Sequence, residues 1–580
     1  MAKLDERSSA ARKGFIERLP VAREGGASRL LWLVAIGALG LGLVSWGFDT
    51  LQSTVIALWA FTVASVALAL VLPLPYAIVS PLFMGIAGWL VDMLPFTILA
   101  GWTAVCLRWA LGLLKEKRMP RGGRWTWIAI GLFVWTGVGI LVITGADFKH
   151  FLLLLGIQFL ISATLLLVVD SLPSLDARTA IVAGLVTFVI VLSGAVLLEW
   201  IGVPVQELQH GAIRKRVEAA YGVDAFPNNI GMIKYARSVN AGSGELRQEL
   251  DEVAADTPGL PEFSVFRPKF QAYENHLVVR FEGSARPYED DLSGTDVELL
   301  FDNVGLAPAN TVPRLRSFPR NALTYAGICA SLLPLAFYLL WADDRRRRTL
   351  GKIGIVACLF GAGFSLARGA WVAILIGIIY LFIDGSVPKQ AKLRMLFAYL
   401  AAAFVLTGVF FAKYQVDPMT GRAGGGASVS TRDDLYRDTL KFFKGKSIIF
   451  GYGTEEPRTA SGTVKEGEGG RYVPRAGTHS TYLNYLFRTG LPGALMMTAL
   501  YVIAGLQARA ASKEKDGDER TFATAAVTAI VIAAAHGVIL SLYVEPIYTL
   551  TISLILGIAT ASGLGLRSSI LPWRGKAVTS

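Results

Sequence analysis

The sequence predicts an all-α polytopic membrane protein of about 14 transmembrane helices, with a small α+β extracytoplasmic domain inserted between them. Three observations carry this reading. The 580 residues are 53% hydrophobic and 17% charged, with a mean hydropathy of +0.49, which excludes a soluble enzyme on a single anchor. Apolar runs of roughly 17–25 residues, each enough to cross a hydrocarbon core, recur along the chain. Charge is also sorted. Seven Lys and Arg precede Leu30 and five lie within Lys115–Arg124, whereas Ile201–Pro319 holds 17 Asp and Glu against 12 Lys and Arg. Basic short loops mark the cytoplasmic side, so the net charge of +12 reflects membrane topology and gives no reason to expect nucleic acid.

In order, residues 1–29 form a polar, basic cytoplasmic tail with no cleavable signal pattern. Residues 30–200 carry an N-terminal bundle of about seven spans: Leu30–Trp46, Leu51–Leu72, Tyr76–Val91, Leu94–Leu114, Trp125–Gly145, Phe151–Val169 and Thr179–Trp200. Pro81, Asp92 and Pro95 leave a re-entrant turn open as an alternative within Tyr76–Leu114. Residues 201–319 form the extracytoplasmic α+β domain. There Val205–Ala220 has helical periodicity, and His276–Phe281 alternates like a strand ahead of Val297–Phe301.

Residues 320–413 return to the membrane with Asn321–Trp341, two arms around Arg368, and Met395–Lys413. Residues 414–481 are a second long outer segment, in which Ser430 or Thr431 caps a helix through Phe443. Residues 482–566 hold the spans Gly490–Leu506, Phe522–Tyr543 and Ile547–Leu566, and 567–580 form a basic cytoplasmic tail. The even span count puts both termini in the cytoplasm. Cys106, Cys329 and Cys358 all fall in apolar spans, so they provide neither a disulfide framework nor a metal-ligand spacing.

Arg368 is the most informative position. Fifteen uncharged residues flank it on each side within Ile353–Ile383, and Arg345–Arg348 and Lys389, Lys392 and Arg394 lie beyond. Basic clusters at both ends make the stretch a hairpin with Arg368 at its outer turn. Each arm then reaches roughly 22 Å, short of the hydrocarbon thickness, so the guanidinium sits below the outer surface. An ionisable group there marks function, and a buried anion suits arginine; the plain alternative is a side chain snorkelling to the headgroups.

Arg314 and Arg316 precede one outer span start, and His479 precedes another. Several fixed guanidinium groups near a low-dielectric boundary suit a diphosphate, and a histidine beside them can take a proton near neutral pH. Against this, Arg314 and Arg316 also fit interfacial anchors, and Arg432 and Arg437 fit a solvated helix face. Asp433 and Asp434 fit the first turn of a helix better than a metal site. Gly424–Gly426 reads as a flexible loop before a phosphate nest. His536 reads as a hydrogen-bonded packing residue, while His150, His210 and His276 form no constellation.

The motifs F-S-L-A-R-G-A-W (Phe364–Trp371), S-T-R-D-D-L-Y-R-D (Ser430–Asp438), F-G-Y-G (Phe450–Gly453) and T-H-S-T-Y-L-N-Y-L-F-R-T-G-L-P-G (Thr478–Gly493) occur in an order that resembles the O-antigen ligase and O-antigen polymerase superfamily. R-L-R-S-F-P-R-N-A-L-T-Y-A (Arg314–Ala326) is similar to its other marker. The resemblance implies a metal-independent, inverting membrane glycosyltransferase without cofactor. Its donor would be a polyprenyl-diphosphate-linked glycan, such as one on undecaprenyl diphosphate, and its acceptor a glycan or lipid hydroxyl. Carried over by motif, Arg314 or Arg316, Arg368 and Arg432 bind the diphosphate, and His479 acts with Arg368 in catalysis. Arg437, Arg475 and Tyr482 contact acceptor or glycan. Arg488 stands where the superfamily usually has an acidic residue, Pro319-Arg320-Asn321 is a degenerate form of its turn, and the 201–319 segment is larger than usual.

The reading is therefore a glycosyltransferase in a bacterial plasma (inner) membrane, active at the outer face, with polymerase slightly favoured over ligase. Partners are the lipid-linked donor, the acceptor, membrane lipids, and a chain-length regulator or export protein, with no nucleic acid. The alternative is a transporter or flippase of lipid-linked glycans, which would spread charge along a central path and usually repeat its halves. A sensor or scaffold built on the outer domain leaves Arg368 without a role.

Overall fold

The computed structural model describes residues 26–47, 51–91, 94–121, 124–142, 148–172, 174–201, 205, 266–273, 276–283, 297–301, 317–319, 322–365, 367–384, 389–414, 447–451, 480–539, 545–564 and 566. Apolar runs become helices because a helix satisfies its own backbone hydrogen bonds where water is absent. In chain order they are α1 (Gly26–Gly47), α2 (Leu51–Val71), α3 (Leu74–Leu90), α4 (Leu94–Glu116), α5 (Arg124–Val142), α6 (Phe148–Ser171) and α7 (Leu175–Trp200). After the strands come α8 (Ala322–Leu340), α9 (Arg345–Phe364), α10 (Arg368–Asp384), α11 (Lys389–Tyr414), α12 (Ser447–Phe450), α13 (Thr481–Glu514), α14 (Gly517–Ile539) and α15 (Pro546–Ser562).

Among the described residues, six helical segments are long and apolar enough to cross a membrane: Leu30–Gly47, Leu94–Glu116, Leu175–Leu198, Leu323–Leu340, Thr481–Glu514 and Gly517–Val538. The protein is a predominantly helical multi-pass membrane protein. Between α7 and α8, β1 (Phe266–Tyr273), β2 (His276–Gly283) and β3 (Val297–Phe301) pair antiparallel in that order. The register runs from Phe266 opposite Gly283 to Tyr273 opposite His276, and from Leu277 opposite Phe301 to Phe281 opposite Val297. β1 is not among the strands the sequence pattern predicts. Pro268 weakens its signal, yet an edge strand tolerates proline. The helices expected within Val205–Ala220 and through Phe443 lie outside the described residues, apart from Val205.

Two helices form the centre. Thr324–Leu339 of α8 and all of α15 are buried. α8 packs on α7, α9 and α14, while α15 packs on α6, α13 and α14. α9 lies against α8 at backbone distance, because a side chain on Gly351 would strike the backbone of Leu339 and Leu340. Small residues of this kind let helices approach where no water drives them together. α1, α2 and α3 form a separate peripheral cluster around Phe61 and Met84. Their outer surfaces expose Leu33, Ile36 and Trp59, which suits hydrocarbon.

One end of the bundle gathers the basic clusters and is laced by charge. The enclosed Asp170 carboxylate at the end of α6 accepts from Arg118 at 2.6 and 3.0 Å, from Trp109 at 2.8 Å and from the Arg121 amide at 2.7 Å. The bond to Asp170 holds the Arg118 guanidinium above its ordinary pKa. Arg178, buried at the start of α7, lies 5.3 Å over the Phe522 ring and 3.5 Å from Glu519 of α14. Arg347 of α9 reaches Asp176 of α7 at 3.7 Å. The ends of α4, α6, α7, α9 and α14 are thereby tied together.

Candidate functional site

The opposite end carries the candidate site. Ser317 donates to the Leu192 carbonyl at 2.7 Å, Phe318 meets Trp89 edge-on at 5.0 Å, and Trp200 meets Phe364 edge-on at 4.5 Å. Those contacts bring the chain before α8, the end of α7 and the end of α9 to the same level. Ser365 caps α9, and after a short turn Arg368 becomes the first residue of α10. Arg368 is therefore a helix-initiating residue, whereas the sequence places it within the turn. α9 also begins at Arg345, eight residues ahead of the expected arm. Asp344 caps it by accepting from the Arg346 amide at 3.1 Å. Its 20 residues give about 30 Å, a full hydrocarbon thickness, in place of the short arm expected. α10, with 17 residues, gives about 25 Å.

The Arg368 side chain is exposed and forms no hydrogen bond or ion pair with any described residue. It heads a helix, where the dipole adds positive potential. α10 runs along α14 in the opposite direction, with Gly377 against Ile532 and Thr528. α13 starts against the same helix: Gly537 faces Thr481 and Tyr482, and the Tyr482 hydroxyl donates to the Ala534 carbonyl at 3.2 Å. Counting from Gly377, Arg368 stands about 13 Å toward this end; counting from Ile532, Gly537 stands about 7 Å toward it. The heads of α10 and α13 thus meet α14 within about two turns of one another. Residue 479 is joined directly to Ser480, the N-cap of α13.

Arg368 and Tyr482 are the sequence-predicted site residues that the structure describes. Arg314, Arg316, Arg432, Arg437, Arg475 and His479 lie outside the described residues. Tyr482 is spent on α14 through its hydroxyl. Arg488 donates to Asn484 on the same helix at 2.8 Å.

Two further features have weak sequence signals. α13 breaks at Gly490, whose backbone is left-handed at φ 68° and ψ −175°. Gly451, at φ 71°, packs into that break. A side chain on Gly490 would collide with the Ile449 carbonyl, and one on Gly451 would lie 2.6 Å from the Phe487 oxygen. The F-G-Y-G and R-T-G-L-P-G motifs therefore meet backbone to backbone. The second feature is His536, buried in α14, whose Nδ1 has no hydrogen-bond partner among the described residues. Packing is as expected there, but the Nδ1 bond is missing. A side chain on Gly327 would lie 2.8 Å from that nitrogen and 2.9 Å from Tyr548 Cε2.

Residues 353–498 match the family model described as O-antigen ligase. That match supports the resemblance to the O-antigen ligase/polymerase superfamily over this part of the chain. No curated protein matches the chain. The O-antigen ligase region begins inside α9 and ends inside α13. It includes Arg368, the paired glycines and the head of α13. Arg314–Ala326, His536 and the helices α1–α8 fall outside it.

Proposed function

We propose that the protein is an inverting, metal-independent glycosyltransferase that moves a glycan from a polyprenyl-diphosphate donor to a glycan or lipid hydroxyl. The observation that carries this is Arg368: an exposed guanidinium at the head of α10, with no described protein partner, inside the O-antigen ligase region and level with the helix that follows His479. Arginine stays ionised and grips phosphate oxygens with two parallel bonds.

In the reaction, the acceptor oxygen attacks the anomeric carbon from the face opposite the diphosphate. The anomeric C–O bond breaks, and the departing oxygen takes the electron pair as polyprenyl diphosphate. Arg368, with Arg314 or Arg316 and Arg432, neutralises that growing charge. His479 takes the hydroxyl proton. Arg437, Arg475 and Tyr482 contact the acceptor or glycan, and Tyr482 is the one whose position at the head of α13, against α14, supports a site-edge role. We place about 14 spans in a bacterial inner membrane, both termini in the cytoplasm, and the 201–319 segment as an outer α+β domain that includes the β1–β3 sheet. The product is a longer lipid-linked chain if the enzyme is a polymerase, which we slightly favour, or a finished glycolipid if it is a ligase.

The test is turnover of a synthetic polyprenyl-diphosphate glycan by the purified full chain, with EDTA present. New glycosidic bonds from wild type, formed at least about 100-fold more slowly by Arg368→Ala and not at all by His479→Ala, are expected. Loss of turnover on chelation removes the metal-free mechanism. Glycolipid crossing liposomes without new bonds makes the protein a transporter.

A further inference from the structure

We infer that Trp135 of α5, a residue far outside the O-antigen ligase region, is a positioning residue for the transfer site; this rests on the glycosyltransferase reading above. The break in α13 creates the need for it. Gly490 turns the chain out of the helix, and Pro492 has no N–H to offer the turn below. Proline at 492 leaves the Arg488 carbonyl, one turn back, without its usual amide, and a break of this kind in an apolar bundle favours side-chain donors beside it. Trp135 supplies one, its Nε1 donating to the Thr489 carbonyl at 2.9 Å.

The same indole stacks on Phe450, with ring centroids 5.4 Å apart and planes 10° from parallel. One turn further along the same face of α5, Gly139 leaves room for the Phe450 carbonyl, which would lie 3.4 Å from a Cβ there. Phe450 and Gly451 are in turn locked into the break by the paired glycines. Trp135 thus holds both halves of one joint: the Phe450–Gly451 step and the Thr489–Gly490 step.

That joint brackets residues 452–479. Their first neighbour, Gly451, is fixed against Phe487 and Arg488. Their last neighbour, Ser480, caps the helical segment that ends at the break nine residues on, about 13 Å away. Whatever geometry His479 needs is therefore referred to the break, and Trp135 refers the break to the N-terminal bundle. Tryptophan alone among side chains joins a broad stacking face to a ring N–H donor in this shape. Phenylalanine keeps the first and loses the second.

The experiment compares wild type, Trp135→Phe and Trp135→Ala as purified full chains in detergent. It measures kcat and donor KM in the transfer assay, the thermal midpoint, and hydrogen exchange at 447–451 and 481–489. For Trp135→Phe, kcat should fall about tenfold, with donor KM within about twofold and the thermal midpoint lowered by no more than about two degrees. Exchange in both windows should rise, and Trp135→Ala should enlarge each effect. Unchanged kcat in Trp135→Phe overturns the inference, whether or not exchange rises. A kcat loss that tracks a lowered thermal midpoint also overturns it, because the tryptophan is then only structural. If wild type makes no glycosidic bond, the glycosyltransferase reading fails, and the exchange data alone report whether the joint exists.

Discussion

Gly451 and Gly490 each give up their side-chain space to main chain of the other's segment. The Ile449 carbonyl lies where a Cβ on Gly490 would go, and the Phe487 and Arg488 carbonyls crowd the Cβ position of Gly451. Both residues are left-handed, Gly451 at φ 71° and Gly490 at φ 68°. Gly490→Ala therefore meets two obstacles, a disfavoured backbone and a collision with main chain that cannot rotate away. The expected result is a cost of about 2–4 kcal/mol, a thermal midpoint several degrees lower and a transfer rate below detection. An alanine variant with wild-type melting would show that the joint is loose.

The Asp170 carboxylate is the hub of the other end, with four short bonds from Arg118, Trp109 and the Arg121 amide. Asp170→Asn keeps the shape, removes the charge and leaves Arg118 facing a neutral amide. A loss of about 2 kcal/mol is expected. The thermal midpoint should drop, while kcat of the surviving folded protein should hold, since the hub lies at the end remote from Arg368. A kcat change without a stability change would place Asp170 in the reaction.

Gly351 and Gly40 separate close packing from mere helix flexibility. A Cβ on Gly351 meets the backbone of Leu339 and Leu340, whereas nothing lies within 4 Å of one on Gly40. Gly351→Ala should push α9 off α8 and reduce recovery of folded protein. Gly40→Ala should be neutral or stabilise by up to about 1 kcal/mol. Equal behaviour of the two in size-exclusion and thermal assays would mean that the α8–α9 contact is not tight.

Hydrophobic runs made the positions of the helices legible, but not their ends. α9 begins with four arginines because Asp344 caps it, and a hydropathy reading starts the arm only at Ile353. α13 begins at Thr481 and runs through Gly490, where a span was expected to start. The polar head of α13 lies against α14, and a helix break is invisible to hydropathy. The motif around Arg368 and the head of α13 was legible by resemblance, and the O-antigen ligase match covers both. Trp135 was not. It sits 354 residues from its acceptor, in an ordinary apolar run, and only the fold brings its indole to the Thr489 carbonyl.

Arg108, like Arg368, is a charge inside an apolar run. Only their surroundings tell them apart. Arg108 is buried and donates to the carbonyls of Ala69 and Leu70 at 3.1 Å each and of Leu72 at 2.7 Å, so it closes the C-terminal end of α2. Arg368 is exposed at the head of a helix and has no described partner. Arg108→Met should therefore lower stability by about 1–3 kcal/mol while kcat of the folded fraction stays near wild type. Arg368→Ala should leave the thermal midpoint within about one degree and lower kcat at least about 100-fold, as expected for a donor aimed at developing charge. Arg368→Lys keeps the charge without the planar fork, so its rate should fall between the two. Melting curves and transfer rates of these three variants decide the matter. If Arg368→Ala melts early and Arg108→Met transfers slowly, the roles assigned to the two arginines are reversed.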